Sequence, residues 1–222
     1  VVTISSTAAN ITATNISDAL ALTSAENVSV SITELSTAEV DLSSIESKGT
    51  GLKTVEASGI LDTATDLGEF AVVVADDKDL TGTDAQLGDL VITDAGDNPI
   101  VTITDIAADV DLSKITLDGD NAALKATVTA DTVLDSGAIL NGAAVAVADD
   151  ISLTGTATQL DKIAITEVDG TTGSVVATAA DGSDLTDISL DTDVILDIVG
   201  TVTLTDTQAA LVDLDDTGTM NI

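Results

Sequence analysis

The sequence predicts an all-β chain wound as a parallel β-solenoid (a β-helix), on three observations. The apolar residues are Val, Ile, Leu and Ala set one or two apart among Thr and Ser, which is the alphabet of short strands. The phrase VADDKDLTGTDAQL beginning at Val74 returns as VADDISLTGTATQL at Val147, 73 residues later. Within that interval, strand-like triplets recur about every 24 residues, the rhythm of a coil that cannot bury its inward face alone and must stack on a neighbour.

Taken in order, the chain reads as three copies, 1–73, 74–146 and 147–222, forming one continuous repeat domain. The first copy is divergent. Its Val28-Ser29-Val30-Ser31 falls on Val101-Thr102-Ile103-Thr104, and Val55 to Leu67 falls on Val128 to Leu140. Ser17 followed by Asp18-Ala19-Leu20-Ala21-Leu22 predicts a short helix within 17–26, with Ser17 as its cap. The second and third copies align without a gap over 74–120 and 147–193, with 19 of 47 positions identical.

Two strand series interleave along the copies. One is centred near Ile92, Thr116, Ile139, Ala164 and Ser189, the other near Val73, Thr102, Val128, Val147 and Val176. Three periods of about 24 residues make the 73-residue unit, a three-coil superrepeat. The variants ISSTAANI, LTGTDAQL, ITDIAADV, LTGTATQL and LTDTQAAL predict a strand end, a polar corner, and a short turn whose last apolar residue re-enters the core. Leu80, Leu87, Leu153 and Leu160 are therefore expected to point inward. A tandem of β-sandwiches would need Pro- or Gly-marked linkers between domains of about 100 residues, and no such linker is present.

What is missing excludes much chemistry. There is no Cys, His, Trp, Tyr or Arg, and the single Phe and Pro are Phe70 and Pro99. No Ser-His-Asp triad, thiol nucleophile, common zinc site or haem ligation can be assembled from this set. Small residues also suit a narrow solenoid bore, which Ala, Val and Leu fill without overpacking. Six Lys face 39 Asp and Glu, for a net charge of −33, so neither a phosphate backbone nor an anionic membrane surface has a partner here. No apolar run approaches the roughly 18–20 residues that membrane insertion needs. The start at Val1, with neither Met nor signal peptide, predicts a processed product or a fragment. Absence of Cys fits the cytosol and also bacterial surfaces, and the acidity fits a calcium-rich exterior. The expected location is extracellular, at the cell surface.

The acidic pairs are the candidate ligands: Asp76 with Asp77, Asp149 with Asp150, Asp118 with Asp120, and Asp191 with Asp193. Asp94 with Asp97 and Asp181 with Asp184 are further pairs. Calcium (Ca2+) takes about six to eight oxygens, and turn carboxylates plus backbone carbonyls can supply them. The competing reading is that these are solvated turn residues with diffuse counter-ions, since Asp favours turns. No EF-hand loop is present. Paired carboxylates could serve glycoside hydrolysis, but the Arg, His and aromatic platforms of such clefts are absent, so no enzyme is expected. The elements Thr102-Ile103-Thr104, Thr127-Val128-Thr129 and Thr201-Val202-Thr203-Leu204-Thr205 could form an ice-binding face, or simply be outward strand threonines. Asn10, Asn15 and Asn27 head N-glycosylation patterns.

The pattern V-T-[ILV]-[ST]-x-T-x-A-x-[LIV] with a following I-x-[ILV]-[TS]-D strand, as in VTISSTAANI and VTLTDTQAAL, covers most of the chain. It resembles repeat modules of large secreted bacterial surface proteins: S-layer, adhesin and type I-secreted repeat proteins. The resemblance implies a structural or adhesive role, often dependent on calcium. The chain departs from those proteins in lacking the calcium nonapeptide G-G-x-G-x-D-x-U-x, of which Asp181-Gly182-Ser183-Asp184-Leu185 is a fragment. The resulting expectation is a non-enzymatic extracellular protein that self-assembles as a homopolymer into a surface layer, filament or adhesin stalk, with divalent cations as partners. The other reading is a binding module for cell-surface glycan or ice.

Overall fold

A computed structural model describes residues 2–7, 28–36, 41–47, 49–160, 164–167, 174–178, 183–184, 189–190, 195–199, 201–203, 212–214 and 219–221. They fall into two compact units, Val1–Thr102 with Lys114–Ala123, and Ile103–Ser113 with Leu124–Ile222. Both are built from parallel strands, as expected of a β-solenoid.

In chain order the first strands are β1 (Val2–Thr7), β2 (Val28–Ser36), β3 (Lys53–Ile60), β4 (Ala71–Val74), β5 (Asp79–Thr83), β6 (Ile92–Asp94), β7 (Ile100–Thr104) and β8 (Ile115–Thr116). Within the first unit, β1, β2, β3, β4, β6 and β8 form one parallel ladder in that order. The far end of β3 pairs instead with β5 on a second face. Gly59 stands between, with φ +80°, a backbone conformation that costs glycine no Cβ clash.

The second unit takes in β9 (Ala123–Val128), β10 (Thr132–Val133), β11 (Ala144–Val147), β12 (Ser152–Thr156), β13 (Ala164–Glu167), β14 (Ser174–Thr178), β15 (Ser183–Asp184), β16 (Ser189–Leu190), β17 (Ile195–Val199), β18 (Thr201–Thr203), β19 (Val212–Leu214) and β20 (Thr219–Asn221). Here the coil is plain to see. Strands β13, β14 and β15 lie on three separate ladders, and β16, β17 and β18 return to the same three in the same order.

The coil is shorter than the strand rhythm suggests. Successive partners in the first unit, Val30 with Lys53, Thr54 with Ala71, Val72 with Ile92, and Ile92 with Ile115, are 23, 17, 20 and 23 residues apart. The mean is about 21, not 24. The reason is that the two strand series do not occupy separate faces. The strand at Val73 pairs with that at Ile92, and the strand at Val147 pairs with that at Ile165. A coil is thus the step between the series, and three coils fall short of the 73-residue recurrence. Ile139, one member of the first series, makes only an isolated bridge to Asp111.

The recurring phrase folds as follows. VVVADDKDLTGTDAQL is strand β4, a tight corner at Ala75–Lys78, strand β5, and a one-turn helix Asp84–Leu87. The LTGT segment is a strand rather than a corner. The corner is the preceding acidic pair, where Asp77 takes φ +55°. Asp is tolerated in the left-handed region because its short side chain bonds locally. The second copy repeats all of this: β11, Asp150 at φ +56°, β12, and the helix Ala157–Leu160. Leu80, Leu87, Leu153 and Leu160 are all fully buried, as expected. The helix expected within 17–26 lies outside the described residues.

Alternation puts Val72, Val74, Val145 and Val147 inside, and the apolar core among the described residues is aliphatic apart from Phe70. The glycine of LTGT is required by this packing. A Cβ on Gly82 would come within 2.8 Å of the Leu87 side chain and 3.2 Å of Leu61. At Gly155 the same neighbours recur as Leu134 at 3.1 Å and Leu160 at 3.3 Å. Thr-Gln pairs close the helix starts. Gln86 Oε1 accepts from Thr83 N at 3.0 Å, and Gln159 Oε1 accepts from Thr156 N at 2.9 Å. The amide of each glutamine then donates to a carbonyl of the preceding coil, Gln86 to Asp62 O at 2.7 Å and Gln159 to Asp135 O at 2.5 Å.

Candidate functional site

The exposed corners carry the acidic pairs. Asp76 and Asp77 form the β4–β5 corner, Asp149 and Asp150 the β11–β12 corner, and Asp118 and Asp120 the loop after β8. Asp191 and Asp193 lie outside the described residues, as do Asp181 and the glycosylation patterns at Asn10, Asn15 and Asn27. What stacks on the first corner is the next coil's turn at Asp97–Asn98. Asp76 Oδ1 accepts from the backbone N–H of Asp97 at 2.9 Å, and Asn98 Nδ2 donates to Asp77 Oδ1 at 2.9 Å. One coil further, Asn121 Nδ2 donates to Asn98 Oδ1 at 2.9 Å, and Asn121 N donates to Asp97 O at 2.8 Å. Gly119 N meanwhile donates to Asp94 Oδ2 at 2.8 Å. Gly96 fits only because it lacks a side chain, since a Cβ there would overlap the side chain of Asp76.

Acidic side chains elsewhere do similar work. Asp41, Asp62, Asp66 and Asp111 each accept the backbone N–H two residues on, the local bond that makes Asp a turn residue. At Asp41 the hydroxyl and backbone N–H of Ser43 hold the carboxyl below its ordinary range by stabilising the charged form. Asp131 Oδ1 receives both the backbone N–H and the hydroxyl of Ser152, 21 residues away, and Asp105 accepts from the Thr129 hydroxyl. Among the described residues no three acidic side chains converge as a metal cluster.

The threonine elements alternate with alanine across the ladder. Thr127 pairs with Ala146, and Ala146 with Thr166. A continuous Thr column of the ice-binding kind is not formed there.

A second feature is one the sequence reading misses. The first unit carries an open groove of about 610 Å³ beside β3 and β4. Leu52 and Val91 stand exposed in it at 69% and 50%. Lys53 Nζ lies 3.1 Å from Glu69 Oε2 and 5.7 Å from the centre of the buried Phe70 ring, within cation–π range. Lys114 Nζ lies 3.8 Å from Asp89 Oδ1 and donates to Asp89 O at 3.0 Å. Glu69 and Asp89 are almost wholly exposed. The positions 73 residues on hold Ala126 for Lys53, Gly142 for Glu69, Ala143 for Phe70 and Ala164 for Val91, while Asp89 and Lys114 return with their signs exchanged, as Lys162 and Asp187. The groove chemistry is therefore not part of the recurrence. That departure, combined with the lone aromatic, is the sequence signal that could have found it.

No protein-family model, no curated protein and no solved structure matches the chain.

Proposed function

We propose that the protein is a non-enzymatic structural repeat protein of the cell exterior, one that self-assembles into a surface layer, filament or adhesin stalk with divalent cations between its carboxylates. The observation that carries this reading is the way side chains tie each coil to the next. Gln86, Gln159, Asp76, Asn98, Asn121 and Asp131 all bond to residues 21 to 24 positions away. Combined with an aliphatic core, such ties make a stiff element, and buried packing of this kind resists local opening. The polar groups of the corners are spent on the coil itself, which suits a scaffold better than a reaction centre.

Cations enter through charge. At −33, neighbouring copies repel one another, and calcium on exposed corner carboxylates such as Asp118, Asp120, Asp149 and Asp150 would screen that repulsion. The test is thermal melting and light scattering in calcium and then in excess chelator. The expected result is a lower melting temperature and lost scattering on chelation. Identical curves in both solutions would remove cations from the account.

A further inference from the structure

We propose that the groove beside β3 and β4 is a self-association surface, where a second copy of this chain docks its own groove about a two-fold axis. The inference rests on the assembly reading and names its interface. Three observations lead to it. Leu52 and Val91 present exposed apolar surface in one concavity, the usual mark of an interface core. Around them stand two lysines and two carboxylates, Lys53 and Lys114 with Glu69 and Asp89, so the patch is locally neutral on a molecule of net charge −33. Almost any other mutual approach of two copies sets acid against acid, whereas here it does not.

The patch is also complementary to itself. A two-fold contact places the same surface on both partners, so each residue that meets a counterpart is met by it in return. Lys114 of one copy can then face Asp89 of the other, twice per contact. The highly exposed Asp89 and Glu69 are only weakly committed within their own chain, because exposed ion pairs contribute little. Finally, no charged member of the patch keeps its sign across the 73-residue recurrence, so the coil itself does not dictate this arrangement of charge.

The experiment is sedimentation velocity on Lys114→Glu, on Asp89→Lys and on their equimolar mixture, beside wild type in calcium. Both side chains are exposed, and circular dichroism checks that each variant folds. The expectation is that each variant alone associates at least about tenfold more weakly than wild type, since two attractive contacts become repulsive. The mixture should recover most of the loss. In the mixed pair the carboxylate introduced by Lys114→Glu faces the ammonium introduced by Asp89→Lys, and the second contact keeps its native Asp and Lys. Leu52→Asp serves as a second variant, expected to weaken association without rescue by either partner. Variants that associate as wild type does would overturn the groove as interface while leaving assembly intact. Weakened variants that do not recover on mixing would overturn the two-fold pairing. A wild type that stays monomeric at every concentration would end both the groove and the assembly reading.

Discussion

Residues 71–87 and 144–160 fold alike, yet their surroundings differ. Each is a strand, an acidic corner with one left-handed Asp, a second strand and a one-turn helix held by a Thr-Gln pair. Each sends its glutamine amide to the preceding coil, to Asp62 in one case and to Asp135, 73 residues on, in the other. Around the first copy stand the Asp77–Asn98 bond and the Lys53–Phe70 groove. Around the second, the sequence offers Gly170 and Thr171 in place of Asp97 and Asn98, and alanines in place of Lys53 and Phe70. What recurs is what the coil needs to close. What varies decorates the surface, and it is there that function is sought.

Substitutions made in pairs sharpen this comparison. The largest effect is expected from Leu80→Ala and Leu153→Ala. Both leucines are fully buried, and each truncation should cost about 2–5 kcal/mol in urea unfolding. Equal losses would support one shared coil design, whereas a silent Leu153 would break it. Next come Gly82→Ala and Gly155→Ala, expected to cost about 1–3 kcal/mol through overpacking. Gly82 should suffer more, because its added methyl would meet leucine at 2.8 Å against 3.1 Å at Gly155.

The smallest contrast is between Gly68 and Asn141, which occupy equivalent places with φ of +56° and +51°. A Cβ on Gly68 would strike Ser43 Cα at 2.8 Å, while Asn141 donates through Nδ2 to Leu112 O at 3.0 Å. Gly68→Ala should cost about 1–2 kcal/mol from left-handed strain and that contact. Asn141→Gly should cost about 1 kcal/mol or less, the value of one hydrogen bond. Equal melting shifts for the two would show that the corners are not distinguished by backbone approach.

Much of the fold is legible in the sequence because strand alternation and recurrence are local. Val72, Val74, Leu80 and Leu87 announce their inward faces by spacing alone. The strand nature of LTGT is less legible, since Thr-Gly-Thr reads equally as a turn until Leu61 and Leu87 are seen filling the space above Gly82. The coil length reads as about 24, too long, because two strand series that share a ladder look, in one dimension, like two faces. The same error hides the roles of the acids. That Asp76 accepts the N–H of Asp97 depends on a step of 21 residues, and so does any stacking argument about cation sites. The groove is invisible in the sequence for a related reason. Lys53, Phe70, Val91 and Lys114 are far apart in the chain and meet only once the coil closes.

The central claim is that this stiff, acidic solenoid exists to assemble. Electron microscopy of the protein in calcium and in chelator tests it most directly. The account predicts ordered filaments or sheets in calcium that disperse when the cation is removed. Dispersed single particles under both conditions would contradict it.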